Sequence, residues 1–137
     1  RFNVALERYL KQVTLEAETL AEMVTTMVVP AAERQLTVTS AAWNAFAQSG
    51  ARKESAYARR VAALGEALES ALGGVEALQA KLAEIHATHD EMQACRRLGA
   101  EVRPLMQDVR AASDRLESLV DDELWPVPKY REMLFVK

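Results

Sequence analysis

The sequence predicts an all-α fold: an up-down-up antiparallel three-helix bundle of long helices with an extended C-terminal tail. Three observations predict it. Apolar residues return at alternating steps of four and three through most of the chain, which is the seam of a helix that lies against other helices. Glycine (5) and proline (4) are scarce, so the many turns of an all-β fold are not available. The helix-ending signals gather near residues 50 and 88, and short connections there make consecutive helices antiparallel.

The first helix is expected over about residues 2–48. Its seam reads Leu6, Leu10, Val13, Ala17, Leu20, Val24, Met27 and Ala31, with a weaker continuation through Val38, Ala42 and Phe46. Thr37-Val38-Thr39-Ser40 are poor helix formers, so a break there is conceivable. Gln48-Ser49-Gly50 reads as the helix end, with Gly50 free to adopt the left-handed conformation.

The second helix, about 52–87, carries Tyr57, Val61, Leu64, Leu68, Ala71, Val75, Leu78, Leu82 and Ile85. Thr88-His89-Asp90-Glu91 has the spacing of a capping box and marks the boundary. The third helix, about 89–123, carries Leu98, Val102, Leu105, Val109, Ala112, Leu116 and Leu119. Helices of this size run about 50 to 70 Å at 1.5 Å per residue.

Folding the chain about those turns brings Pro30, Gly73-Gly74 and Pro104 to one height. Each proline deletes an intrahelical hydrogen bond and the glycines weaken the second helix, so a shared bend is expected there. The same folding gathers Trp43, Phe46, Tyr57 and Trp125 at one end.

The extended tail occupies 124–137. Pro126 and Pro128 stop the helix, and Met133-Leu134-Phe135-Val136 is too apolar to be left free in water. The candidate interaction residues are therefore Trp125, Tyr130, Leu134 and Phe135. They dock on this bundle, on a missing region or on a neighbouring subunit.

The net charge of −3 suits one domain and argues against nucleic-acid binding. The basic pairs Arg59-Arg60 and Arg96-Arg97 read as solvated faces with local ion pairs. No apolar run approaches the ~18 residues of a membrane span, so no membrane partner is expected. The lone Cys95 excludes an internal disulfide and fits a reducing, cytoplasmic compartment. A chain opening on Arg1-Phe2-Asn3, mid-pattern, reads as a fragment of something larger.

Reactive chemistry is sparse. His86 and His89 are the only metal-like grouping, and the Glu-x-x-His pairs of a di-iron bundle are missing, because Ala83 precedes His86. A ligand set needs three or four groups, so the histidines read first as solvated or capping residues. Cys95 has no histidine at a persuasive spacing, and Gly73-Gly74 is not a phosphate loop. No catalytic, cofactor-binding or metal residue is assigned. The residues by themselves describe a helical interaction or structural module.

Two stretches carry a resemblance. Val102-Arg103-Pro104-Leu105-Met106, Asp114-Arg115-Leu116-Glu117-Ser118-Leu119-Val120 and Glu123-Leu124-Trp125-Pro126-Val127-Pro128-Lys129-Tyr130-Arg131-Glu132-Met133-Leu134-Phe135 resemble the C-terminus of type III glutamine synthetases. Glu7-Arg8-Tyr9-Leu10-Lys11, Glu16-Ala17-Glu18-Thr19-Leu20 and Val29-Pro30-Ala31-Ala32 look like the entry into that family's C-terminal helical region. The middle, about Thr37 to Gln79, matches only as helix.

The resemblance implies a parent glutamate–ammonia ligase that uses ATP and Mg2+ and assembles as stacked hexameric rings. It implies that the catalytic residues lie upstream of Arg1 and that this chain is a non-catalytic C-terminal helical domain with a structural, assembly or regulatory role. Its partners would be the remainder of that enzyme and neighbouring subunits of a homo-oligomer. The alternative is a free-standing coiled-coil adaptor that binds a partner helix in an open apolar groove.

Overall fold

The computed structural model describes residues 3–50 and 55–128, and it is all-α, as the heptad pattern predicts. The first long rod is α1 (Val4–Met23), a π-helical turn (Val24–Val28) and α2 (Val29–Ala47). The second is α3 (Ala56–His86). The third is α4 (Glu91–Arg97), a second π-helical turn (Leu98–Val102) and α5 (Arg103–Leu119).

Local chemistry sets these bounds. Asn3 Oδ1 accepts the Leu6 N–H at 3.2 Å and starts α1. Ser55 Oγ does the same for Ala58 at 3.1 Å and starts α3. Each removes one of the orphan amides of a helix start. The third rod is capped by Asp90 rather than by Thr88: Asp90 Oδ1 accepts from Met92 N at 3.0 Å and Gln93 N at 3.4 Å. The rod therefore opens at Glu91, two residues later than the capping-box spacing places it. Gly50 takes φ +97° after the first rod, in the left-handed region. No break occurs at Thr37–Ser40, where α2 continues.

Pairings across the rods fix their directions. The start of the first rod meets the start of the third, with Cys95 Sγ donating to Leu6 O at 3.3 Å. Thr14 meets His86 at the end of α3, and Trp43 meets Tyr57 at its beginning. Lys81 and Glu66 of α3 reach Glu101 and Arg115 of the third rod in reversed order. The second rod thus runs opposite to the other two.

The core is aliphatic and continuous, from Val13 at one end to Trp125 at the other. In α3 it holds Leu64, Leu68, Ala71, Val75, Leu78, Leu82 and Ile85, the residues of the expected seam. The first rod departs from its seam. From the π turn onward, Met27, Val38, Ala42 and Phe46 are exposed, while Val28, Ala32, Gln35 and Thr39 are buried; Ala31 of the expected seam stays buried. A π turn takes about one residue more than an α turn, so it moves the buried face forward by one position. The third rod shifts more gently: Met106 and Val120 are buried, and Leu105 and Leu119 are half-buried.

Each π turn sits just ahead of a proline. The Val29 N–H bonds Val24 O and the Arg103 N–H bonds Leu98 O, each spanning five residues. Pro30 and Pro104 follow immediately. A proline ring clashes with the carbonyl four residues back, and the wider turn relieves that crowding. The two π turns are not level. The first packs on α3 and α5, the second on α3 and α1. Gly74 faces Val109, not Pro104, so the three breakers do not form the one shared level expected from folding the sequence.

Among the described residues no helix is long and apolar enough to cross a membrane.

Candidate interaction surface

The third rod stops at Leu119, the last residue of its seam and short of the expected end near 123. Val120 leaves the helix with φ −94° and ψ 142°, although its N–H still bonds Leu116 O at 2.9 Å. The chain then turns tightly. Asp121 O accepts both Leu124 N and Trp125 N at 3.0 Å, and Asp121 Oδ1 accepts Glu123 N at 2.8 Å. A run of acidic residues ahead of two prolines is well suited to this, since aspartate side chains close turns on their own backbone.

The turn is held from inside the core. Gln35 is buried on α2, where its Oε1 accepts the Asp121 N–H at 2.9 Å. Its Nε2 donates to Thr39 Oγ1 at 2.9 Å, and Thr39 is buried as well. A buried amide left unpaired is costly, so the Gln35–Thr39–Asp121 chain specifies where the tail leaves the bundle.

That exit delivers Trp125 into the core, with 7% of its surface exposed. Leu124 and Val127 pack half-buried beside it. The indole Nε1 is buried without a hydrogen-bond partner among the described residues. Of the expected interaction residues, Trp125 is thus an anchor on this bundle. Tyr130, Leu134 and Phe135 lie outside the described residues.

Trp125 does not join the other aromatics. Trp43, Phe46 and Tyr57 form a separate cluster with ring centroids 5.9–6.1 Å apart. It lies where α2 ends and α3 begins, past the exit of the third rod.

At the opposite end, the second π turn is gripped from both sides. Arg97 donates through Nε to Glu101 Oε2 at 2.6 Å and through its terminal nitrogen to Glu84. Lys81 Nζ contacts Glu101 at 3.1 Å and Glu84 at 3.3 Å. Hydrogen bonds from Arg97, then Lys81, hold the Glu101 carboxyl down at about 2 and lower that of Glu84. From the first rod, Tyr9 accepts from Arg103 Nε at 3.3 Å under a cation–π contact of 5.7 Å. This is an interhelical clamp: its ions are paired with each other.

The histidines are not brought into a ligand set. His86 Nε2 pairs with Thr14 Oγ1 at 3.2 Å. Among the described residues no group of three histidine, cysteine, aspartate or glutamate side chains is placed to hold a metal. Cys95 is buried, and desolvation with Glu91 nearby pushes its thiol up, away from the reactive thiolate.

A family model described as "Glutamine synthetase C-terminal domain" matches residues 1–48. The whole chain aligns with the "Type-3 glutamine synthetase" of Dictyostelium discoideum at 35% identity over 143 positions, covering 19% of that protein. The chain is thus similar to a glutamine synthetase C-terminal domain over residues 1–48 and to a type 3 glutamine synthetase along its whole length. It also aligns along its whole length with the "Glutamine synthetase" of Bacteroides fragilis (strain YCH46), at 30% identity over 145 positions and 20% of that protein.

The chain therefore spans about one fifth of the length of these glutamine synthetases. The similarity runs through α2 and α3 too, whereas the motif-level resemblance marks only the two ends. The stretch matched by the glutamine synthetase C-terminal domain model is the first rod, the one whose buried face is shifted by a π turn.

Sequence reasoning missed Gln35 and Thr39. The available signal was Pro30: a proline inside a helical pattern warns of a local change of frame, and that change carries both polar residues inward.

Proposed function

We propose that this chain is a non-catalytic helical domain of a type 3 glutamine synthetase, serving assembly by fixing the course of the C-terminal tail. The observation that carries this reading is the lock at the exit of the third rod. Gln35 sets the turn at Asp121, and the turn seats Trp125 in the core. A bundle that fixes the chain as far as Trp125 is suited to a positioning role. In this reading the ATP-dependent joining of ammonia to glutamate, with its Mg2+, belongs to the remainder of the polypeptide. The partners are that remainder and neighbouring subunits of a homo-oligomer in the cytoplasm.

The test uses a full-length type 3 glutamine synthetase carrying this domain. The double variant Gln35→Leu, Trp125→Ala is compared with the unchanged enzyme by light scattering and by glutamine formation at saturating substrate. Loss of assembled mass, with activity falling in proportion to the assembled fraction, is the expected result. Intact assembly together with a raised KM for ATP or glutamate would place the domain at the active site instead. Unchanged mass and activity would remove the assembly role.

A further inference from the structure

The π turn in the first rod has two effects, one that serves the bundle and one that the bundle alone does not use. It brings Gln35 and Thr39 into the core and turns Met27 and Val38 out. Val38 is 62% exposed and Met27 37% exposed. Two further large apolar residues of the same rod stand in water, Leu15 at 65% and Val4 at 57%.

These four are related in register. Val4 to Leu15 and Met27 to Val38 are steps of eleven, and about eleven residues make three helical turns. Leu15 to Met27 is a step of twelve, and Met27 lies inside the π turn Val24–Val28, which absorbs only part of the extra residue. The members of each pair therefore share a face, about 16 Å apart, and the two pairs sit on adjoining outward faces of the rod. Charged residues stand between them on those faces: Arg8, Lys11, Glu18, Glu22 and Arg34 are all exposed.

We propose that this side of the first rod is a docking surface for the remainder of a type 3 glutamine synthetase polypeptide. The inference rests on the functional reading above and names its surface. Three observations choose this occupant over a second copy of the chain. The family match to the glutamine synthetase C-terminal domain covers residues 1–48, the rod that bears all four residues. The aligned relatives are about five times longer than the chain, so most of such a polypeptide is available to cover it. Four side chains in two pairs, three turns apart within each, also bury far less than the roughly 800 Å² per partner that a stable bimolecular interface needs. A tethered partner works at a high effective concentration, where so small a contact suffices. The matching surface would offer separate apolar sockets with a charged rim between them.

The test reads thiol accessibility. Leu15→Cys, Val38→Cys and, on α3, Leu72→Cys and, within the aromatic cluster, Phe46→Cys are each labelled with a maleimide. Rates are measured in the 137-residue chain and in the full-length assembled enzyme. The slow background of buried Cys95 is taken from the unsubstituted protein. Leu15→Cys and Val38→Cys are expected to label as fast as Leu72→Cys in the short chain and at least tenfold slower in the full-length enzyme. Equal rates in both forms overturn the proposal. If Leu72→Cys or Phe46→Cys is protected instead, the domain docks by another face, and only the surface assignment fails. If none of the four is protected, the docking surface falls, while the assembly reading is decided separately by the mass and activity comparison above. Protection in the short chain, with a doubled mass by light scattering, would make the occupant a second copy and overturn the proposal.

Discussion

Gln35 Oε1 accepts the Asp121 backbone N–H at 2.9 Å, joining positions 86 residues apart in sequence. Because Gln35 is buried, Gln35→Leu leaves the Asp121 N–H and the buried Thr39 hydroxyl without their partner. An unpaired buried group costs roughly 1–3 kcal/mol. Thermal unfolding followed by circular dichroism should show a midpoint several degrees lower for Gln35→Leu. Thr39→Ala removes only the Gln35 Nε2 contact and should cost less. Equal stability of Gln35→Leu and the parent would mean that the lock contributes nothing.

Trp125 tests the anchor separately. Truncating a buried Trp to Ala costs about 3–5 kcal/mol. Trp125→Phe keeps much of the ring contact and removes the Nε1 donor, which has no partner among the described residues. It should therefore lose less than half as much as Trp125→Ala in urea unfolding. A Phe variant as unstable as the Ala variant would show that the indole N–H is satisfied in solution.

The contrast between the rods shows how far sequence carries. In α3 every apolar position predicted from Leu64 to Ile85 is buried, since an uninterrupted α-helix keeps a fixed frame. In the first rod the same reasoning holds through Val24, fails at Met27, meets a buried position again at Ala31, and fails from Val38 on. Heptad counting assumes 3.6 residues per turn throughout, and the π turn ahead of Pro30 violates it. Trp125 stands out by residue type and position, but the sequence places it in one end cluster with Trp43, Phe46 and Tyr57, which it does not join. Its partner Gln35 was not legible, because the frame change that buries it leaves no polarity signal.

The frame argument predicts an asymmetric response to deletions. Removing Thr25, which is exposed within the π turn, together with Pro30→Ala should convert the segment into regular α-helix. The residues after it would keep their facing, with Gln35 and Thr39 still buried. Removing Glu18, also exposed but within regular α1, rotates everything beyond it by about 100°. Circular dichroism should show a cooperative transition for the first variant, within a few degrees of the parent, and loss of that transition for the second. Comparable damage from both would contradict the role given to the π turn.

Gly73 and Gly74 are adjacent, and their Ala variants should differ in sign. Replacing a helix-interior glycine by alanine gains about 1 kcal/mol where space allows. A Cβ on Gly73 meets nothing within 4 Å, so Gly73→Ala should stabilise by about that amount. A Cβ on Gly74 would lie 3.1 Å from Val109 Cγ2, and Val109 is fully buried. Gly74→Ala should be neutral or destabilising. Pairing it with Val109→Ala should then cost less than the two single changes added together. Additivity would mean that the close approach of α3 to α5 at this point is not maintained.

The clamp around the second π turn gives a pH window with a definite sign. Glu101 is lowered from its ordinary 4.5 to about 2, chiefly by the Arg97 hydrogen bond and then by Lys81. Glu84 is lowered by the same two cations. A carboxyl that is more acidic in the folded state stabilises fully above its unfolded value and loses that contribution as pH falls through the folded one. The contribution of Glu101 should accordingly be constant above about pH 4.5 and decline towards pH 2. All four side chains are substantially solvent-accessible, so the effect is modest and weakens with added salt. In Glu101→Gln the acid-side decline of the unfolding midpoint should be shallower than in the parent, and the gap between the two should narrow in 1 M salt. Parallel pH profiles for the two proteins would show that the ion pairs between α3 and the second π turn do not persist in solution.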